Sequence, residues 1–215
     1  MYETIFFDLD GTLTDSAPGI IHSVQYALGK YGIEAEDAAL KVFIGPPLIH
    51  SFQARFGFDH DQALEAVAFY REYFTAGGMF ENSVYPGIEE LLKKLKEDGA
   101  RLAVATSKPE VFSRQIIAHF ALDPYFDFIG GAAMDESRAT KTEVLAYALE
   151  TLQADPAQAV MIGDRRDDIE AANALGTGAV GVLYGYGSYE ELAEAGAGTF
   201  AGSPEEIYRI LSGKA

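Results

Sequence analysis

The chain has 215 residues, of which 48% are hydrophobic and 23% are charged. This composition is typical of a globular protein with one domain, or with a core domain that carries a smaller insertion. The formal net charge of −17 at pH 7 disfavours nucleic acid and anionic membrane surfaces as partners, because both are negatively charged. The sequence contains no cysteine, which excludes disulfides, thiolate metal sites and cysteine nucleophiles.

The N-terminal segment contains a short apolar stretch with acidic residues around it, and lacks the basic start and long apolar region of a signal peptide. No apolar run approaches the roughly 18 residues that a membrane-spanning helix needs. We therefore expect a cytoplasmic protein that binds neither membrane nor nucleic acid.

Short apolar runs alternate with stretches of helical periodicity along most of the chain. Buried strands are predicted at Thr4–Phe7, Leu102–Ala105, Phe126–Ile129, Ala159–Ile162 and Ala179–Leu183. Helices are predicted at Ile88–Glu97, Glu110–Phe120, Glu143–Leu152, Asp168–Leu175 and Glu205–Leu211. This alternation predicts an α/β fold with a Rossmann-like parallel sheet as its core.

One long segment, from about Ser16 to Asn82, interrupts the alternation and shows helical periodicity alone. Ser16 and Pro18 suit the start of a helix, and Gly32 suits its end. A helical block between the first two strands predicts a small cap domain inserted into the core. We accordingly expect a cap at residues 16–82 and a catalytic core at residues 1–15 and 83–215.

Two acidic residues follow the first predicted strand. Strand alternation sends the carboxylates of Asp8 and Asp10 in the same direction, and Gly11 permits a sharp exit. Ligands of open α/β sheets bind at this end of the strands. The pair suits one nucleophile and one proton donor and acceptor, with a divalent cation relieving their repulsion. The alternative is an acidic turn without a catalytic role.

A second pair of acids follows the strand Ala159–Ile162 and should reach the same edge of the sheet. Asp164 is placed to complete an oxygen-rich Mg²⁺ site, and Asp168, one turn further on, to orient its ligands. The alternative is that the two acids stabilise a helix N-terminus through its dipole.

Two further positions fall where a phosphate needs donors. Thr106 and Ser107 end the strand Leu102–Ala105, so the Thr106 hydroxyl and nearby backbone N–H groups suit phosphate oxygens. A helix N-cap is the alternative. Lys141 is a cation at a helix start, where an acid is favoured, and its alternative is a solvated surface lysine.

In this order, the segment Asp8-Leu9-Asp10-Gly11-Thr12, Thr106, Lys141 and the segment from Gly163 to Asp168 resemble the four motifs of the haloacid dehalogenase-like superfamily. The resemblance covers essentially the whole chain, including a helical cap after the first motif. Within the superfamily the chain is similar to the phosphoglycolate phosphatase-like branch. Three segments resemble a subgroup also labelled 5′-nucleotidase, namely Gly45-Pro46-Pro47-Leu48, Ala105-Thr106-Ser107-Lys108-Pro109 and the segment from Gly181 to Gly187.

The resemblance implies a Mg²⁺-dependent phosphatase for a small phosphomonoester, of the phosphoglycolate or nucleoside monophosphate type. Asp8 would attack phosphorus, and Asp10 would protonate the leaving oxygen and then activate water. The side chains of Asp8 and Asp164 and the backbone carbonyl of Asp10 would hold Mg²⁺, with Asp168 in support. The phosphoryl oxygens would be held by Thr106, Ser107 and Lys141.

Three alternatives remain at this point. A sugar-phosphate mutase would use the same aspartyl-phosphate, although Thr12 looks more like the phosphatases. A dehalogenase would need neither Asp10 nor the metal carboxylates, and a non-catalytic binding protein would be expected to have lost at least one of the acids.

Several sequence features have no assigned role in this scheme. Substrate contact by the cap loop Gly45-Pro46-Pro47 is a hypothesis, whose alternative is a simple turn. Arg165 and Arg166 either lie on the surface or extend toward substrate. The glycines from Gly181 to Gly187 lack the order of a dinucleotide fingerprint.

Overall fold

A computed structural model of the chain describes residues 2–135 and 137–213. The chain forms two compact units, each with its own set of buried apolar side chains. Unit 1 consists of Met1–Thr14 and Val84–Ala215, and unit 2 is the intervening segment Asp15–Ser83.

The main sheet of unit 1 has six strands in the described chain. In chain order the strands are β1 Thr4–Phe7, β2 Thr14–Asp15, β3 Ser83–Val84, β4 Arg101–Pro109, β5 Phe128–Ala132, β6 Ala159–Gly163, β7 Gly178–Val182 and β8 Phe200–Ala201. The main sheet has the order β5-β4-β1-β6-β7-β8, and its neighbouring strands run parallel. The short strands β2 and β3 lie where the chain passes from one unit to the other. The predicted α/β class is therefore confirmed.

The helices follow the strands and belong to one unit each. Unit 2 contains α1 Ala17–Gly29, α2 Asp37–Leu40, α3 Leu48–Phe56 and α4 His60–Ala76. Unit 1 contains α5 Ile88–Glu97, α6 Glu110–His119, α7 Lys141–Leu152, α8 Arg166–Leu175, α9 Tyr189–Glu194 and α10 Pro204–Ser212. Short 3₁₀ turns occur at Lys41–Phe43, Gly78–Phe80, Asp123–Tyr125 and Pro156–Gln158. Among the described residues, no helix is both long enough and apolar enough to cross a bilayer.

Strand β1 is central because its side chains are apolar on both faces. Ile5, Phe6 and Phe7 are fully buried, as expected for a parallel strand covered by helices on both sides. Phe7 is in register with Val104 of β4 and Ile162 of β6. The register therefore brings the residues that come just after Phe7, Val104 and Ile162 to one edge of the sheet.

The observed elements differ from the predicted ones in a few places. Strand β5 begins at Phe128 and continues through Gly130 and Gly131, although glycines are unusual inside a strand. A Cβ at Gly131 would lie 2.5 Å from the carbonyl oxygen of Lys108. The close approach of strand β5 to strand β4 therefore requires glycine at this position. Helix α1 ends at Gly29 rather than at Gly32.

Unit 2 is held together by aromatic side chains. Phe43 packs edge-on against Phe52, with 4.9 Å between the ring centroids, and both rings are buried. Tyr70 and Phe74 of α4 stack at 5.4 Å and are also buried. Tyr70 and Phe74 of α4 thus belong to the core of unit 2.

Candidate functional site

The carboxylates of Asp8, Asp164 and Asp168 lie together at the carboxyl end of the sheet. One oxygen from each acid lies within 4.8 Å of the others, and all three residues are buried. Asp8 follows β1 directly, and Asp164 follows the last residue of the neighbouring strand β6. The backbone N–H of Asp8 donates to the carbonyl of Ile162, which fixes the two chain segments side by side.

Lys141 provides the positive charge of this cluster. Its Nζ lies 2.8 Å from Oδ1 of Asp8 and 2.8 Å from Oδ1 of Asp168, and it donates to the carbonyl of Ala105 at 3.3 Å. The residue is only 5% exposed, so it is not a solvated surface lysine. Burial lowers the pKa of Lys141, but the two carboxylates outweigh burial and raise it above its usual value.

Helix α7 starts at Lys141 because of a capping box. The Thr140 hydroxyl accepts the backbone N–H of Glu143, and the Glu143 carboxylate accepts the N–H of Thr140. This is the Thr-x-x-Glu pattern that commonly marks a helix start. The cap fixes the first turn of α7 and thereby the backbone from which the Lys141 side chain extends. The helix begins at Lys141, two residues before its predicted start at Glu143.

Asp164 is held by donors at both oxygens. The Thr12 hydroxyl donates to Oδ1 at 3.3 Å, and the backbone N–H of Tyr186 donates to Oδ2 at 2.8 Å. Burial raises the pKa of Asp164 to about 8, and the charges of Asp168 and Asp8 act in the same direction.

Asp168 lies at the start of helix α8 and also contacts Lys141. It is the third residue of α8, and its Oδ2 accepts the backbone N–H of Arg165 at 3.1 Å. Its Oδ1 lies against Lys141. Burial raises the pKa of Asp168, while the charge of Lys141 opposes that shift.

The donor set fits a hard divalent cation. Three buried carboxylates face a single lysine in this cluster, so their negative charge is incompletely neutralised. Mg²⁺ prefers carboxylate oxygens of this kind, with water and phosphate completing its shell. Asp8, Asp164 and Asp168 are therefore the residues that could hold such an ion, and Lys141 contacts both Asp8 and Asp168.

The side chain of Asp10 makes a different contact. Its Oδ2 lies 2.8 Å from Nζ of Lys108, while its Oδ1 is buried and has no hydrogen-bond partner among the described residues. Gly11 follows with φ +83°, and a Cβ there would lie 2.2 Å from Oδ2 of Asp164. The turn after β1 is therefore compatible only with glycine at this position.

Lys108 was missed as a site residue in the sequence. It stands two positions after Thr106 in the sequence, but regular strand alternation could not be assumed there, because the pairing of β4 with β5 shifts register between Thr106 and Pro109.

Thr106 lies at the carboxyl end of β4, next to β1, and is 2% exposed. Its hydroxyl accepts the backbone N–H of Lys108 at 3.3 Å. Helix α6 has Pro109 as its N-cap residue, so Thr106 does not cap that helix. Ser107 follows Thr106 and is partly exposed. Phosphate binding by Thr106 and Ser107 stays a prediction.

Arg165 and Arg166 contact helix α9. Nε of Arg165 lies 2.9 Å from Oε1 of Glu191, and the backbone N–H of Arg166 donates to the same oxygen at 3.0 Å. The Arg166 guanidinium also pairs with Glu194 at 3.1 Å. Both arginine side chains thus form ion pairs with helix α9, which was not predicted.

The predicted cap loop lies in unit 2. Gly45 has φ +105°, Pro47 is the N-cap residue of α3, and the carbonyl of Pro47 accepts the N–H and hydroxyl of Ser51. Phe43, just before this loop, is part of the aromatic core of unit 2. Substrate contact by Gly45, Pro46 and Pro47 stays a prediction.

The fold and the site together define a class of protein: an α/β enzyme that presents buried acids, a lysine and a threonine at the carboxyl edge of a parallel sheet. The chain belongs to the haloacid dehalogenase-like hydrolases, because the model of that family matches residues 5–182. The predicted family and the predicted enzyme class, a phosphatase of this family, are confirmed by this match together with the relatives below.

Three curated relatives cover most of the chain. A 5′-nucleotidase from Pseudomonas aeruginosa is 47% identical over 89% of this chain and 87% of its own length. The tyrosine-protein kinase PtkA from Mycobacterium tuberculosis is 43% identical over 86% of this chain, but over only 63% of its own length. A phosphoglycolate phosphatase from Colwellia psychrerythraea is 30% identical over 90% of each chain.

Solved structures are similar along the whole chain. The crystal structure of a predicted phosphatase from Clostridium acetobutylicum has a TM-score of 0.94 and 48% sequence identity, and the alignment covers 99% of each chain.

Proposed function

We propose that this chain is a Mg²⁺-dependent phosphatase that hydrolyses a small phosphomonoester through an aspartyl-phosphate on Asp8. One observation carries the proposal. Oδ1 of Asp8 accepts the backbone N–H of Leu9 at 2.7 Å and lies 2.8 Å from Nζ of Lys141. Within the described chain, Oδ2 of Asp8 has no such donor, which leaves one oxygen of a fixed carboxylate available for attack.

The reaction would have two steps. In the first, an oxygen of Asp8 forms a bond to phosphorus while the bond to the leaving oxygen breaks, and Asp10 gives that oxygen a proton. In the second, Asp10 takes a proton from a water molecule that attacks phosphorus. Inorganic phosphate leaves, and the Asp8 carboxylate is regenerated.

The other residues of the site would bind and orient the phosphoryl group. Lys141, Thr106 and Ser107 are proposed to hold its oxygens, which supplies local positive charge in a chain of net charge −17. Mg²⁺, when bound, would neutralise phosphoryl charge. It would be held by the side chains of Asp8 and Asp164 and the backbone carbonyl of Asp10, with Asp168 in support.

The relatives narrow the substrate class to small phosphate esters. The name of the Pseudomonas aeruginosa relative favours a nucleoside monophosphate, and that of the Colwellia psychrerythraea relative favours phosphoglycolate. A second candidate is transfer of the phosphoryl group to an acceptor other than water. The name of the Mycobacterium tuberculosis relative, a tyrosine-protein kinase, favours this alternative. The sugar-phosphate mutase hypothesis from the sequence belongs to the same class of reaction.

The test is phosphate release from a panel of esters with Mg²⁺ or with excess chelator. The panel includes phosphoglycolate, nucleoside monophosphates and sugar phosphates, each with and without a tyrosine peptide or a sugar as acceptor. The wild-type protein is expected to release phosphate only with Mg²⁺, whereas Asp8→Asn loses turnover. Asp167→Asn is the matched control, because Asp167 is exposed and lies one residue from Asp168. Turnover by Asp8→Asn at the wild-type rate would contradict the proposal, and acceptor phosphorylation would favour the second candidate.

A further inference from the structure

The segment Tyr184–Gly187, which follows β7, packs directly against Asp164. The backbone N–H of Tyr186 donates to Oδ2 of Asp164 at 2.8 Å. The segment also reaches the other oxygen of the same carboxylate, through Thr12. The hydroxyl of Tyr184 donates to the carbonyl of Thr12 at 3.0 Å, and the hydroxyl of Thr12 donates to Oδ1 of Asp164 at 3.3 Å.

Two glycines allow this close approach. A Cβ at Gly185 would lie 2.3 Å from the carbonyl oxygen of Gly11 and 2.4 Å from Cβ of Asp164. A Cβ at Gly187 would lie 1.9 Å from the carbonyl oxygen of Asp164. Real Cβ atoms essentially never come within 3.0 Å of such neighbours. Neither glycine has a left-handed φ, so the requirement here is space rather than backbone conformation.

We propose that Tyr184–Gly187 is the element that positions Asp164 as a Mg²⁺ ligand. The inference rests on the proposed function, because it takes the acidic cluster as the metal site. The carboxylate of Asp164 is held at Oδ2 by the segment itself and at Oδ1 by a hydroxyl that the segment holds in place. Groups that orient a metal ligand typically change metal affinity by about 10- to 100-fold when they are lost.

The test is thermal unfolding of the full chain over a series of Mg²⁺ concentrations, because stabilisation by a bound ion yields its Kd. Unfolding in excess chelator reports the fold of each variant separately. Gly185→Ala is expected to raise the Kd for Mg²⁺ by about 10- to 100-fold. Gly198→Ala is the matched control, because a Cβ there meets no atom within 4 Å, and it is expected to keep the wild-type Kd.

A second variant avoids the steric clash. Tyr184→Phe removes only the hydroxyl that holds Thr12, and it is expected to weaken Mg²⁺ binding in the same direction. Tyr125→Phe is its control, because that hydroxyl bonds to the exposed Glu89. If Gly185→Ala does not fold, the Kd of Tyr184→Phe for Mg²⁺ alone tests the positioning role. Wild-type Kd values in the folded variants would overturn the positioning role alone, whereas no Mg²⁺ binding by the wild-type protein would overturn both this inference and the proposed metal site.

Discussion

Lys108 and Asp10 form an ion pair that is nearly closed to solvent. Nζ of Lys108 lies 2.8 Å from Oδ2 of Asp10, and the two side chains are 6% and 13% exposed. Asp10 is the proposed proton donor and acceptor. Because Lys108 fixes Oδ2 of Asp10, it also sets the direction of Oδ1. This direction matters because a general acid acts only within hydrogen-bond reach of its target.

The variant Lys108→Met should misplace the acid. We expect kcat/KM for an alkyl phosphate to fall by about 10- to 100-fold, since general acid catalysis typically contributes 10²- to 10⁴-fold. The loss for 4-nitrophenyl phosphate should be smaller, because its leaving group needs no proton. The comparison uses kcat/KM because this ratio reports the first phosphoryl transfer.

Lys94→Met serves as the control for Lys108→Met. Lys94 makes an exposed pair with Glu90 on α5, and its removal should leave kcat/KM unchanged for both esters. An equal loss for both esters in Lys108→Met would contradict a role for Lys108 in placing the acid.

Lys141→Met should destabilise the metal-free protein. It leaves the buried carboxylates of Asp8 and Asp168 without their cation, and breaking such a pair costs about 3–5 kcal/mol. Denaturant unfolding in chelator measures this cost. Adding Asp168→Asn should restore part of the lost stability, because it removes one of the unpaired charges. An unfolding free energy equal to that of the wild-type protein would contradict the cluster as described.

The stability of the metal-free protein should fall as pH rises. Burial raises the pKa of Asp164 from 3.8 to about 8, so the folded state binds more protons than the unfolded state between these values. Stability that depends on those protons is therefore present at low pH and is lost as pH approaches 8. Unfolding in chelator from pH 6 to pH 8 measures the slope, and Asp164→Asn should flatten it. A wild-type slope of the opposite sign, or one unchanged in Asp164→Asn, would contradict the prediction.

Arg166→Ala should have little effect on catalysis. The guanidinium pairs with Glu194 and Glu170 on the helical surface, and exposed pairs of this kind contribute little to stability because water screens them. Steady-state kinetics with several phosphate esters should give kcat/KM values close to those of the wild-type protein. A loss confined to one substrate would instead indicate that Arg166 extends toward that substrate.

The central strands and the acids that follow them could be predicted from the sequence. Strands β1 and β6 are short apolar runs followed by acids, so their C-terminal ends were evident, and parallel packing brings Asp8 and Asp164 to the same edge. Lys141 drew attention in the sequence because a basic residue is unusual at a helix start, but its burial was not predicted.

The contacts between side chains of different segments could not be predicted in the same way. The pairing of Lys108 with Asp10 depends on the register of β4, which shifts between Thr106 and Pro109. The packing of Gly185 against Asp164 depends on a loop path that leaves no periodic pattern. Helix α9 has six residues, too few for its periodicity to stand out.

The aspartyl-phosphate on Asp8 is tested most directly by trapping it. Asp10→Asn should slow hydrolysis of the intermediate, because the water-activating base is lost. The variant is mixed with Mg²⁺ and 4-nitrophenyl phosphate, whose leaving group needs no proton from Asp10, so the intermediate can still form. The mixture is quenched in acid and reduced with borohydride, which converts an aspartyl-phosphate to homoserine. Peptide mass spectrometry is expected to find homoserine at position 8. Release of phosphate with unmodified Asp8, or with the modification at another residue, would contradict the proposed mechanism.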